Sequence, residues 1–245
     1  MGKLQQLLLV VTVALSLAVQ AQGSYAEGEK LRVLVLHGYK GNGNRQCKYC
    51  NSWDPAVTNL IQFDCLTAPI PYIFMKWRDC YSWFNVAILY RSQSGIDESL
   101  VFILDHMLKN GPYDGVIGHS QGGFMAGVLV GVLEKKKEIL GRSFGILPPL
   151  RFAIIDKGPF LEDLLEDVLI PPLKTKSFHV IGTIDPYQDE QEVFLTKWQD
   201  PQVEYIKMPH VPLTGEYMDV NFTLRFKEFL NNFRRVKAKG KLAEK

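Results

Sequence analysis

Cysteine is scarce in this chain: four residues in 245, all between Cys47 and Cys80. That count excludes a small scaffold stapled by disulfides, and a chain of this length buries a sizeable core without them. An excess of one charge is also missing. Lys and Arg number 28 against 26 Asp and Glu, a formal charge of +2, too small to point to nucleic acid as a partner. After residue 21 no hydrophobic stretch approaches the roughly 20 residues that span a bilayer, so no stable membrane insertion is expected of the remainder. Internal repeats and low-complexity segments are absent, which excludes solenoids and arrays.

The first 21 residues read as a secretory signal peptide. Lys3 supplies the positive end, Leu7 to Val19 is almost unbroken apolar sequence, and Val19-Gln20-Ala21 suits cleavage after Ala21. An uncleaved signal anchor is the alternative. Residues 22–245 then form a single domain bound for the secretory pathway or beyond, with a frayed basic end from Arg234. In an oxidising compartment Cys47, Cys50, Cys65 and Cys80 suggest two disulfides, in any of three pairings. Free thiols rank second. Redox chemistry at Cys47-Lys48-Tyr49-Cys50 or a four-cysteine zinc site rank last, because the motif falls in a stretch rich in Gly and Asn that reads as loop. Asn221-Phe222-Thr223 is a glycosylation sequon.

The remaining pattern alternates strand and helix. Leu31 to Leu36 is a near-continuous apolar run, as in a strand buried on both faces. Asp54-Pro55 opens a helix to about Phe63, and Phe63 to Thr67 reads as strand. Residues 69–90 are an irregular excursion crowded with aromatics, and Trp77, Trp83 and Phe84 from it are candidates for an apolar pocket wall or lid, with aromatics that simply cover the core edge as the plain alternative. Helices are expected over 96–110, from 121 to about 135, over 160–169, 188–199 and 215–233, and strands over 116–117, 151–155, 177–182 and 203–207. Strands alternating with helices mean an α/β fold: a mostly parallel sheet of about six strands, helices on both faces, and ligands at the carboxyl ends of the strands.

Within that frame Gly118-His119-Ser120-Gln121-Gly122 is the informative stretch. A bare G-x-S-x-G is common, and an ordinary Gly-rich turn is the plain alternative. Here it joins an apolar run (Val116, Ile117) to a small-residue helical pattern, the context of a nucleophile elbow with Ser120 at its apex. A serine nucleophile needs a base. Of five histidines, His37 lies in the first strand's turn, His106 mid-helix and His179 inside a buried strand, while His119 adjoins the serine and points elsewhere. Elimination leaves His210, in a loop after the last strand. Asp185, at the end of the preceding strand, is the candidate carboxylate, with Asp189 and Glu190 as fallbacks. The backbone N–H groups of Gln121 and Tyr39 are the candidate oxyanion donors.

Leu36-His37-Gly38-Tyr39, Gly95-Ile96-Asp97-Glu98-Ser99-Leu100 and the run Asn110 to Gly122 resemble the FSH-type serine hydrolases. The resemblance covers nearly all of the chain after residue 21. It implies the α/β-hydrolase fold and hydrolysis of a small acyl ester, or thioester, by Ser120, Asp185 and His210 through an acyl-enzyme. It implies no metal and no cofactor. Two other functions stand against it: a degenerate hydrolase that binds lipid or another protein, motivated by the altered flank of His210, which sits between Pro209 and Val211 whereas the family's catalytic histidine commonly follows glycines, and a thiol-redox protein using Cys47 and Cys50. Acyl length and oligomeric state are not readable from the sequence.

Overall fold

The structure, a computed structural model, describes residues 29–72, 79–85, 95–135, 138–161 and 172–242, with side chains to Arg234. The signal segment 1–21, Trp77 and most of the expected helix over 160–169 lie outside the described residues.

Six strands form one sheet: β1 (Leu31–Leu36), β2 (Ile61–Leu66), β5 (Gly115–His119), β6 (Phe152–Asp156), β7 (Lys176–Gly182) and β8 (Gln202–Ile206). Their order is β2-β1-β5-β6-β7-β8, and every neighbouring pair is parallel. A separate antiparallel pair joins β3 (Ile70–Pro71) to β4 (Tyr81–Ser82). The helices are α1 (Gly43–Asn51), α2 (Pro55–Thr58), α3 (Ile96–Asn110), α4 (Gln121–Lys135), α5 (Gln188–Leu195) and α6 (Val220–Leu242), the last preceded by a 3₁₀ turn at Gly215–Tyr217.

Why the strands read as unbroken apolar runs is plain from the two cores they divide. Successive side chains of a strand point to opposite faces. Leu34 and Leu36 of β1, Val116 of β5 and Ile155 of β6 pack with α3, α4 and Phe194 of α5. Val33 and Val35 of β1, Ile117 of β5 and Ile154 of β6 pack on the other side with Val57 of α2 and Phe222, Phe226 and Phe229 of α6. A strand covered on both sides has no polar face to show.

Several expectations need correction. The stretch after Asn42 is a helix, α1, not a loop. The Asn42 side chain caps it by accepting from Arg45 N at 2.8 Å, and its few apolar residues hid it. The Asp54-Pro55 helix ends at Thr58, because the chain turns at Leu60 into β2 to pair with β1. Two disulfides were expected; among the described residues one forms, between Cys47 and Cys65, tying α1 to β2. Cys50 and Cys80 are buried thiols, so the four cysteines do not gather around a metal. Burial pushes the Cys50 thiol up to about 12, which removes the reactive thiolate a redox pair needs. Leu224, expected on the apolar face of the last helix, is exposed; Phe222 takes that role. That helix continues through the expected frayed end to Leu242. No described helix is long and apolar enough to cross a membrane.

Candidate active site

The tight turn between β5 and α4 carries Ser120 at φ 52°, a left-handed conformation that a serine adopts only when its surroundings impose it. The flanking glycines make that possible. A Cβ on Gly118 would lie 2.1 Å from the Gly122 carbonyl oxygen, and one on Gly122 would lie 2.3 Å from that of Leu36. The backbones of strand, turn and helix approach too closely for any side chain there. Ser120 N donates to the Asp156 carbonyl at 2.9 Å, which fixes the turn to the end of β6.

Three residues far apart in the chain meet above this edge of the sheet. Ser120 Oγ lies 2.7 Å from His210 Nε2, and His210 Nδ1 lies 2.7 Å from Asp185 Oδ2. Asp185 follows β7, and its other oxygen accepts from Tyr187 N at 2.9 Å, so both carboxylate oxygens are held. The Tyr187 ring packs edge-on against His210, with centroids 4.9 Å apart. The fallback carboxylates Asp189 and Glu190 are spent in the first turn of α5, where acidic residues complement the helix dipole.

The turn after β1 is set by a histidine side chain rather than by backbone alone. Ala68 N donates to His37 Nε2 at 3.0 Å, so Nδ1 carries the proton and donates to the Gly38 carbonyl at 2.8 Å. Burial lowers the His37 pKa to about 4, which keeps that tautomer neutral. Gly41 N donates to the same Gly38 oxygen at 2.9 Å. Because the peptide plane is trans, the following N–H, that of Tyr39, points the opposite way. Neither this N–H nor that of Gln121 meets a protein acceptor among the described residues.

A cavity of about 660 Å³ opens over Ser120 and His210, with Tyr39, Phe84, Pro159, Leu161 and Pro212 in its walls. Phe84 is therefore where a pocket wall was expected. Trp83 is not: it is fully buried beneath the wall, its indole N–H donating to the His37 carbonyl at 2.8 Å. A buried indole needs an acceptor, and satisfying it turns the ring away from the cavity. The Gln121 side chain clamps this segment, accepting from Trp83 N and donating to the Phe84 carbonyl, each at 2.9 Å.

The family described as Serine hydrolase (FSH1) matches residues 26–212, most of the chain. The chain belongs to that family. Among its relatives, Esterase C25G4.2 of Caenorhabditis elegans is 30% identical over 169 residues, 64% of this chain and 73% of that protein. Esterase OVCA2 of Danio rerio is 25% identical over 183 residues, 63% of this chain and 77% of that protein. In fold, the chain is similar to the acyl-protein thioesterase 2 of Zea mays, with a TM-score of 0.57 at 18% identity, covering 84% of this chain and 94% of that one.

One group at the site of this FSH1 serine hydrolase escaped the sequence reading. His119 does not point away from the serine's surroundings; it lines the same cavity, its ring centre 5.6 Å from that of His210. Its Nδ1 lies 2.9 Å from Asp156 Oδ2, which also accepts from Leu213 N at 2.9 Å, three residues beyond His210. The fully buried Lys157 bonds the other Asp156 oxygen and approaches Met208 Sδ at 3.2 Å. Burial opposes ionisation of the Asp156 carboxyl, but the Lys157 ammonium and the hydrogen bonds it accepts prevail and hold it far below the usual carboxylate range. The available signal was the register of β5 on β6, which sets His119 opposite Asp156. Register is a tertiary quantity, and the sequence alone does not print it.

Proposed function

We propose that this protein hydrolyses carboxylic esters or thioesters of small molecules through Ser120, His210 and Asp185. The observation that carries the reading is the continuous Ser120–His210–Asp185 hydrogen-bonded line, with 2.7 Å at each step, at the floor of a largely apolar cavity. In this reading Ser120 Oγ attacks the acyl carbon while its proton passes to His210 Nε2. Asp185 holds the Nδ1 proton in place and stabilises the imidazolium. The N–H groups of Gln121 and Tyr39 receive the oxyanion, each worth about 3–4 kcal/mol at the transition state. Collapse expels the alcohol or thiol, which takes the proton from His210 and leaves an acyl-Ser120. Water, deprotonated by His210, then releases the acid and restores the hydroxyl. Names given to relatives, esterase in the worm and fish proteins, support the same class.

A fluorophosphonate probe tests it. Labelling of one serine in the wild-type protein, lost in Ser120→Ala together with a drop of roughly 10³-fold or more in ester turnover, is the expected result. An unlabelled wild-type protein that turns over no short-chain ester overturns the reading.

We also infer that the chain enters the secretory pathway. The apolar run after Lys3 and the Cys47–Cys65 disulfide, a bond that persists in oxidising compartments, support this. N-terminal sequencing of protein recovered from the medium of expressing cells is expected to begin at Gln22; retention of the whole chain inside the cell would contradict it.

A further inference from the structure

We propose that His119 is a substrate-contacting residue, its Nε2 accepting a hydrogen bond from a hydroxyl on the acyl group, so that hydroxyacyl esters are the preferred substrate class. The inference rests on the ester-hydrolase reading above and adds to it a residue and a class of acyl group.

The starting observation is an uncommitted nitrogen in a crowded place. His119 is only 5% exposed, yet it is part of the cavity wall together with Ser120 and His210. Nδ1 is committed to Asp156, and Nε2 has no protein partner among the described residues. With Nδ1 turned to Asp156, the Cδ2–Nε2 edge is the polar part of the ring left to the cavity that His119 lines. Buried polar atoms are normally paired, and one that opens onto a binding cavity is free to be paired by what binds there.

The protonation state decides what kind of group it takes. A carboxylate at Nδ1 keeps the proton on that nitrogen, which leaves the Nε2 lone pair for the cavity. Burial, first, and then Lys157 and His210 lower the imidazole pKa, and Asp156 opposes them; the net direction is down, so the ring is neutral near pH 7. Nε2 is then an acceptor and asks for a donor. An ester or thioester linkage contains only acceptors, so the donor must be a substituent. An ammonium is disfavoured, because the described residues lining the cavity include Lys40 and Arg45 and, among them, no Asp or Glu. A hydroxyl remains. It belongs to the acyl side, since the Cδ2–Nε2 edge of His119 lies against the oxyanion turn. A Cβ on Gly38 would come within 2.8 Å of Cδ2 and 3.4 Å of Nε2.

The test compares ethyl butyrate with ethyl 2-hydroxybutyrate and ethyl 3-hydroxybutyrate, followed by pH-stat, in wild type, His119→Phe and His119→Asn. Asparagine places an amide nitrogen near Nδ1, keeping Asp156 partnered, and puts nothing at Nε2, so it serves if the phenylalanine variant fails to fold. The readout is the ratio of kcat/KM values, in which general damage cancels. Wild type is expected to favour at least one hydroxy ester over butyrate by about tenfold, and the variants to bring the ratio to about one. A wild-type ratio near one, or a preference that survives in His119→Asn, overturns the proposal. Absence of turnover of all three esters overturns it too; the ester-hydrolase reading then stands or falls separately on fluorophosphonate labelling of Ser120.

Discussion

At the scale of single residues, the site depends on groups whose orientation is fixed from behind. Asp185 shows this best, because both its oxygens are occupied, one by His210 and the other by the Tyr187 N–H. Asp185→Asn keeps an acceptor for Tyr187 and most of the volume, but can offer His210 an N–H where a carboxylate stood. That selects the wrong imidazole tautomer, with the proton on Nε2 facing Ser120. Turnover of a short ester is expected to fall roughly 10³–10⁴-fold while the melting temperature moves little. Loss of folding instead would mean that Asp185 holds the loop rather than the histidine. The meeting of Ser120 with His210 and Asp185 was legible in advance. Ser120 follows from its glycines, and His210 from being the one histidine in a loop after the last strand. Trp83 and His119 were misread for one shared reason: their roles depend on which way a ring turns, and that is set by partners distant in sequence, the His37 carbonyl and Asp156.

Among the elements, β1 (Leu31–Leu36) and α3 (Ile96–Asn110) run over the residues the apolar pattern predicts, because each is amphipathic or apolar enough to declare its own period. Helix α1 does not. Its buried positions are Gly43, Gln46 and Cys50, helical in spacing but weak in hydrophobicity, and its stability comes from outside. The Cys47–Cys65 disulfide anchors it to β2 across a sequence separation of 18 residues. Closing a loop of that size is worth about 3 kcal/mol, so Cys47→Ser/Cys65→Ser, or reduction of the wild type, should lower the melting temperature by roughly 5–10 °C. Since α1 carries Arg45, Gln46 and Tyr49 of the cavity wall, ester turnover should fall along with it. Differential scanning fluorimetry with and without reductant measures the first effect. An unchanged melting temperature would show that packing alone holds α1. Cys50, buried and with its thiol pushed up, should stay unmodified by iodoacetamide in the folded protein.

Over the whole molecule, buried histidines make stability depend on pH. Burial lowers His179 to about 3 and His37 to about 4. In the unfolded chain both protonate near 6.5, so the unfolded state binds protons first as the pH falls. Their contribution is whole above about pH 6.5 and is lost progressively towards pH 4, on the order of 2–3 kcal/mol for each. Thermal melts between pH 8 and 4 should show a falling midpoint below about pH 6.5, with a shallower fall in His179→Gln, whose amide does not titrate. A midpoint independent of pH across that range would contradict the burial of these rings.

What the sequence determined by itself is the fold class and the chain order of the site: period, caps and glycine spacing are local, and each is written within a few residues. It also carries the resemblance that assigns the family. What only the tertiary structure decided is which side chains face one another across strands and loops: Cys47 with Cys65, His119 with Asp156, Trp83 beneath the wall rather than in it. The physical reason is register and packing. Where a strand pairs and how a ring turns are set by the sum of contacts from the whole core, and no local stretch of sequence holds that sum.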